Sequence, residues 1–378
     1  MLVTHVGSLV RPPELVKLLR QSLDGPVDEA VLSRCVEDSV RKVVEQQIET
    51  GIDIVSDGEF GKSISWSRYV LERLNGFEHK SDQKTVGMPK GVHGKDRRDF
   101  AEFYAEYDAT QGFVGMSGWV VTGPIKYDDK AIKQDLDRFK KALKGKTATG
   151  FVASVSPTSV APDRQDEHYK SDEEYLFAIA DALRHEYKAI IDAGFILQVD
   201  DSYMASTYDV MVPPGTLKDF RKWAAIRVEA INHALQGLPE DRVRYHLCWG
   251  SWNGPHTNDL PIKDIMDLLL TIRASGYSLE MANPRHEHEW RLWENLRLPE
   301  DKVLLPGVIS HATNVVEHPE LVAERLVRLA RLVGKERVIA STDCGFAQGP
   351  FTRRVHPSIM WAKLKALVEG AQLASAGS

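Results

Sequence analysis

Short runs of β-branched and apolar residues alternate with long amphipathic stretches almost from end to end of the chain. Eight such runs finish on polar residues: 2–8 (LVTHVGS), 53–59 (DIVSDGE), 150–157 (GFVASVSP), 196–201 (ILQVDD), 243–248 (VRYHLC), 277–283 (YSLEMAN), 303–310 (VLLPGVIS) and 338–345 (VIASTDCG). Between them, 173–194, 217–237, 262–276 and 319–334 each carry an apolar stripe at helical spacing and close on glycine, a common helix stop. Eight βα units in order predict an α/β fold, a (β/α)8 (TIM) barrel whose active-site residues gather at the carboxyl ends of the strands. A doubly wound open sheet is the rival, but no GxGxxG follows the first run.

One region does not fit the repeat. Residues 78–148 mix charged, glycine-rich and aromatic segments with a ninth strand-like run, WVVTG, and read as an excursion after the second βα unit, an arm, hairpin or lid. No linker separates it, so residues 1–378 are expected to form one barrel domain. Long barrel insertions commonly form lids or oligomer contacts, which brings in a homo-oligomer; a surface decoration is the equal alternative.

Composition narrows the partners. A net charge of −6 gives no basic face for nucleic acid or an anionic membrane, so a small-molecule substrate is expected. No apolar stretch approaches the length of a membrane span, and the N-terminus runs from a strand-like segment into Pro12-Pro13 without a basic leader, so a cytoplasmic location is expected. The three cysteines, Cys35, Cys248 and Cys344, are not spaced as a disulfide framework, and Cys35 falls in a helical pattern, where it reads as core.

The other two cysteines carry the chemistry. His246 and Cys248 lie two apart on one strand-like run, so alternation sends both to the same face; Glu280 and Cys344 end two later runs. Together they offer imidazole, carboxylate and two thiolates, a set that a borderline-soft cation such as Zn2+ accepts. On the residues alone, a buried cysteine is also a small hydrophobe and a histidine at a strand end a hydrogen-bonding residue.

The strand ends together resemble the catalytic barrel of cobalamin-independent methionine synthase, and within that superfamily its short, single-barrel branch, which includes epoxyalkane:coenzyme M transferase. The match runs from THVGS at 4–8 to TDCGF at 342–346. The family binds one zinc through a His-x-Cys, a Glu on the next strand and a Cys in an Asp-Cys-Gly turn, which implies His246, Cys248, Glu280 and Cys344 as ligands, with Glu280 the displaceable one. The resemblance further implies that Gly7 and Ser8 hold the carboxylate of the thiol substrate, and that Glu59 and Asp200 face the amino group of homocysteine. Both carboxylates could otherwise cap the helices that follow them. His311 stands close to the family's acid histidine and is the candidate proton donor. Arg285, whose planar fork suits a sulfonate or carboxylate, Asn314 and Trp249 fall beside strand ends as pocket candidates, with structural or core roles as the alternative.

Departures leave the electrophile open. The third strand runs into SPTSVAPDRQ without the aromatic residue that stacks on folate, the family's Asp-Glu-Pro is Asp200-Asp201-Ser202, and these 378 residues hold no second barrel. The resemblance thus implies zinc-dependent transfer of an alkyl group, most simply methyl, to a thiol such as homocysteine, with a small-molecule thiol and an alkyl donor as partners. Addition of a thiol to an epoxide is the rival. From other classes come a non-catalytic zinc-binding barrel and a zinc-free decarboxylase-like barrel.

Overall fold

The computed structural model describes residues 1–63, 65–80, 94–111, 119–161 and 165–376. Helices α1 (Pro13–Asp24) and α2 (Glu29–Thr50) precede β1 (Ile54–Val55), followed by β2 (Leu74–His79), α3 (Lys95–Asp99), α4 (Ala101–Gln111), β3 (Trp119–Tyr127), α5 (Lys130–Leu143), β4 (Thr149–Val155), α6 (Pro157–Val160) and β5 (Gln165–Asp166). The remainder comprises α7 (Asp172–Asp192), β6 (Ile196–Asp201), α8 (Tyr203–Met211), α9 (Leu217–Ala234), β7 (Val243–Leu247), α10 (Met266–Leu269), β8 (Gly276–Leu279), β9 (Val303–Ile309), α11 (Pro319–Val333), β10 (Ser341–Thr342) and α12 (Pro357–Ala376).

Seven strands form one parallel sheet in the order β1-β4-β6-β7-β8-β9-β10. The first segment of the chain closes it: Thr4 N donates to Ala340 O at 2.8 Å on one side, and Ile54 N donates to Val3 O at 3.1 Å on the other. The eight predicted runs therefore occupy eight successive positions around a barrel. Its helices end where their sequences say: Asp28 caps α2 and left-handed Gly51 closes it, while Thr216 and Asp219 form a capping box on α9.

Two expectations are corrected. Residues 262–276 do not form one helix but a 3-10 turn at Ile262–Asp264 and the single-turn α10. Arg221 takes a carbonyl that a helix would use, donating to Asp264 O at 2.6 Å, and Glu289 pins the start of the segment by accepting Ile262 N at 2.8 Å. The excursion also leaves the repeat earlier than expected. Helix α5 buries Ile132, Leu136 and Phe139 and packs against α2, so it is the barrel helix that follows β1, and the inserted segment lies between that strand and its helix.

This placement sets the insertion at the carboxyl ends of the barrel strands. Strands β2 and β3 pair antiparallel, with β5 parallel to β3. A buried Arg73 fixes the hairpin to the barrel through Glu186 at 3.1 Å and Asp135 at 2.6 Å. Asp96 of α3 accepts from Tyr104 OH at 2.7 Å and from Thr257 N at 2.9 Å, and Tyr104 OH accepts Trp252 Nε1 at 3.0 Å. The insertion thereby clamps the loop that follows Cys248.

Candidate metal centre and substrate cavity

The site rises from a polar barrel floor in layers two residues apart. Registers Gln198 to Arg244 and Asp200 to His246 to Ser278 place matching positions of β6, β7 and β8 on one face. At the floor, buried Arg244 donates to Gln198 Oε1 at 2.7 Å and to His5 O at 3.0 Å; burial pulls its guanidinium down to about 9. Gly276 makes room for it, since a Cβ there would fall 2.9 Å from Arg244 Cβ. Above the floor, Gln198 Nε2 donates to Asp200 Oδ1 at 2.6 Å, and burial pushes the Asp200 carboxyl up to about 7.

The next layer holds the candidate metal-ligand set. The ligand atoms of His246, Cys248 and Cys344 all lie within 4.8 Å of one another, and the two sulfurs are 3.5 Å apart. His246 Nδ1 contacts Ser278 Oγ at 3.1 Å, while its Nε2 is buried with no hydrogen-bond partner. An imidazole oriented through one nitrogen, with the other bare toward two thiols, fits a soft divalent cation. The hydrogen bond from Cys344 holds the Cys248 thiol down to about 5, and the same bond pushes Cys344 well up. Gly250 N also donates to Cys248 Sγ at 3.2 Å.

Glu280, expected as the fourth ligand, lies outside this cluster. Its Oε1 accepts Trp249 N at 3.1 Å, and its Oε2 accepts Asn283 Nδ2 at 2.8 Å and Arg285 at 2.9 Å. Asp343, beside Cys344, fixes the same turn by accepting Met281 N and Ala282 N, both at 2.8 Å.

A cavity opens onto the thiols, with Ser8, Glu59, Trp66, Asp200, Ser251 and Gln348 in its wall. Glu59 adopts φ 61, a conformation rare outside glycine and found where a side chain must be aimed. Asp57 Oδ1 accepts Glu59 N at 2.8 Å, and Arg11 donates to Glu59 O at 2.6 Å, which together hold the turn. Gly7 has φ 136, and a Cβ on it would lie 2.7 Å from Glu59 Oε1. Its role here is to leave space for that carboxylate. Ser8 is joined to the Cys344 turn, since Phe346 N donates to Ser8 O at 2.9 Å.

The remaining sequence candidates sit elsewhere. Arg285 turns away from the cavity wall to pair with Glu280 and, at 3.4 Å, with Asp259. Trp249 is core, its Nε1 donating to Leu260 O at 2.8 Å, and Asn314 is exposed. His311 is fully buried with both ring nitrogens unpartnered, and burial pulls it down to about 4, so its ring is neutral at pH 7. Cys35 is half-buried against the core. Sequence reasoning missed Trp66, Ser251, Gln348 and Lys62; the last pairs with Glu59. The one available signal was position, three and seven residues after Glu59 for Lys62 and Trp66.

Fold and site together define a (β/α)8 barrel carrying a candidate thiolate metal centre at the carboxyl ends of its strands. Residues 92–372 match the family described as cobalamin-independent synthase, catalytic domain, and the chain belongs to it. Among its relatives, methionine synthase of Sulfolobus acidocaldarius is 25% identical over 345 residues, covering 90% of this chain and 84% of the relative. 2-Hydroxypropyl-CoM lyase of Xanthobacter autotrophicus is 24% identical, covering 92% and 87%. A B12-independent methionine synthase from Shewanella sp. W3-18-1, solved with selenomethionine, superposes with a TM-score of 0.74 at 22% identity, covering 99% of this chain and 97% of that one, and shares the barrel fold. No helix among the described residues is long and apolar enough to cross a membrane.

Proposed function

We propose that this protein is a zinc-dependent transferase that moves an alkyl group, most simply methyl, onto a small-molecule thiol without cobalamin. The observation that carries the reading is the juxtaposition of two thiols 3.5 Å apart and a bare imidazole nitrogen beside a cavity with carboxylates in its wall. His246, Cys248 and Cys344 would hold the cation, with Glu280 as a fourth ligand if its carboxylate leaves Arg285. When bound, zinc supplies a Lewis acid that lowers the pKa of an incoming thiol and lets it react as thiolate at neutral pH.

The chain's own residues do the rest. Ser278 orients His246, Gly250 N–H and Ser251 steady the cysteine sulfurs, and Ser8, Glu59 and Asp200 line the space where the thiol's tail lies. In the reaction the thiol sulfur forms a bond to carbon as the bond from that carbon to an activated nitrogen or oxygen breaks. The leaving atom takes the electron pair and then a proton. That proton comes from water; His311, neutral at pH 7 and with both ring nitrogens unpartnered, would deliver it only after taking one up itself. A cytoplasmic small-molecule enzyme fits this chemistry.

Thiol addition to an epoxide is the second reading, favoured by the likeness to 2-hydroxypropyl-CoM lyase and by the absence of an aromatic residue after the third barrel strand. The test is metal analysis of the purified protein followed by a screen of thiols with methyl donors and epoxides, reading thioether by mass spectrometry. One equivalent of zinc and one thioether product are expected. A protein that binds no stoichiometric metal overturns the proposal.

A further inference from the structure

We propose that the thiol accepted by this site carries no ammonium group, because Lys62 already supplies the cation beside Glu59. This rests on the thiol-alkylation reading above and narrows its substrate class. Lys62 Nζ lies 3.0 Å from Glu59 Oε2, and both side chains are buried, at 7% and 5% exposure. The contact is an ion pair without hydrogen-bond geometry, and the ammonium sits over the Tyr69 ring, 4.5 Å from its centroid.

The pair is built in, not incidental. Lys62 N donates to Glu59 O at 3.1 Å, and one Arg11 nitrogen bridges Glu59 O at 2.6 Å and Lys62 O at 2.9 Å, so the turn presents the two side chains together. Arg11 adds a second buried positive charge next to Glu59. Separating Lys62 from Glu59 would leave two buried charges without their partners, which is costly.

One oxygen of the second carboxylate in the cavity is also engaged from within. Asp200 Oδ1 accepts Gln198 Nε2 at 2.6 Å, and Gln198 cannot rotate away, since its Oε1 accepts Arg244 Nε at 2.7 Å. An incoming ammonium would meet one carboxylate already neutralised and a like charge beside it. A thiol of the same length without that group meets no such repulsion. Specificity here comes from a built-in repulsive element as much as from attraction.

Homocysteine and 4-mercaptobutyrate differ only by the ammonium group, which makes them the test pair. Protein loaded with one equivalent of cobalt is titrated with each, reading the sulfur-to-cobalt absorption band rather than turnover. The wild type is expected to bind 4-mercaptobutyrate at least tenfold more tightly. Lys62→Met is expected to shift the ratio toward homocysteine by at least tenfold, and Lys62→Arg to keep the wild-type order. Equal or tighter binding of homocysteine by the wild type overturns the inference, and this comparison stands even if Lys62→Met does not fold. An unchanged ratio in folded Lys62→Met overturns it as well. Silence from both thiols in cobalt-loaded protein overturns the thiol-alkylation reading itself, and the inference with it.

Discussion

Gly7→Ala tests whether the cavity depends on the close approach of the first barrel segment to Glu59. The backbone at Gly7 has φ 136, and the added Cβ would fall 2.7 Å from Glu59 Oε1, inside the 3.0 Å that real Cβ atoms essentially never breach. Forcing a side chain into such a backbone costs on the order of 1–3 kcal/mol. Overpacking against a carboxylate that is itself held by Lys62 adds about 1–3 kcal/mol. The sum, roughly 2–6 kcal/mol, with a urea m-value of about 3 kcal/mol/M, lowers the unfolding midpoint by roughly 0.7–2 M. Tryptophan fluorescence in urea reads this directly. Metal stoichiometry should stay at one equivalent, because His246, Cys248 and Cys344 lie on other elements, while thiol affinity shifts toward homocysteine as Glu59 and Lys62 are pushed apart. A midpoint within about 0.2 M of wild type, with thiol affinity unchanged, would refute the reasoning.

Three further outcomes are expected. Cys344→Ser should lose at least tenfold in zinc affinity in a chelator competition while keeping its circular dichroism, since a hydroxyl replaces one of two thiolates. Burial pulls His286 down, but hydrogen bonds to Asp259 and Glu289 outweigh it and push the ring from 6.5 up to about 9. The resulting stability is fully present below pH 6.5 and is lost as pH rises through about 9, a difference of roughly 3 kcal/mol that should vanish from the stability profile of His286→Gln. Arg73→Met leaves Glu186 buried without its cation and should cost about 3–5 kcal/mol, with the β2–β3 hairpin gaining amide exchange; exchange unchanged there would break the link between this pair and the insertion's docking.

The barrel strands were legible because parallel strands are buried on both sides and read as near-continuous apolar runs, each stopped by a polar residue that faces the site. Period-2 alternation was enough to pair His246 with Cys248, and the topology then brought Cys344 to them. Local pattern failed where tertiary partners override it. The apolar spacing of 262–276 is helical, yet Glu289 and Arg221 capture its backbone groups from other elements. Helix α5 was hidden by its charge: its core-facing residues are Ile132, Leu136 and Phe139, but lysines and aspartates surround them. Glu280 shows the same limit at the site. Its place just past the end of β8 could be inferred, but not that Arg285 and Asn283 would occupy its carboxylate.

Lys62 marks where sequence reasoning about this site ends and geometry begins. As letters, GEFGKSISW offers a lysine three residues after a candidate substrate carboxylate, which a solvated surface loop would equally contain. Its meaning depends on Glu59 adopting φ 61, on Arg11 gathering both carbonyls and on the burial of the pair, none of which has a local sequence signature. The candidate ligands His246, Cys248 and Cys344 could be carried over from a family resemblance because thiolate and imidazole have few substitutes at a soft cation. The amino-group subsite could not, because a retained carboxylate changes its meaning once the chain places its own cation against it. A matching Glu59 is therefore evidence of shared architecture, and the partner of that carboxylate decides which thiol the architecture serves.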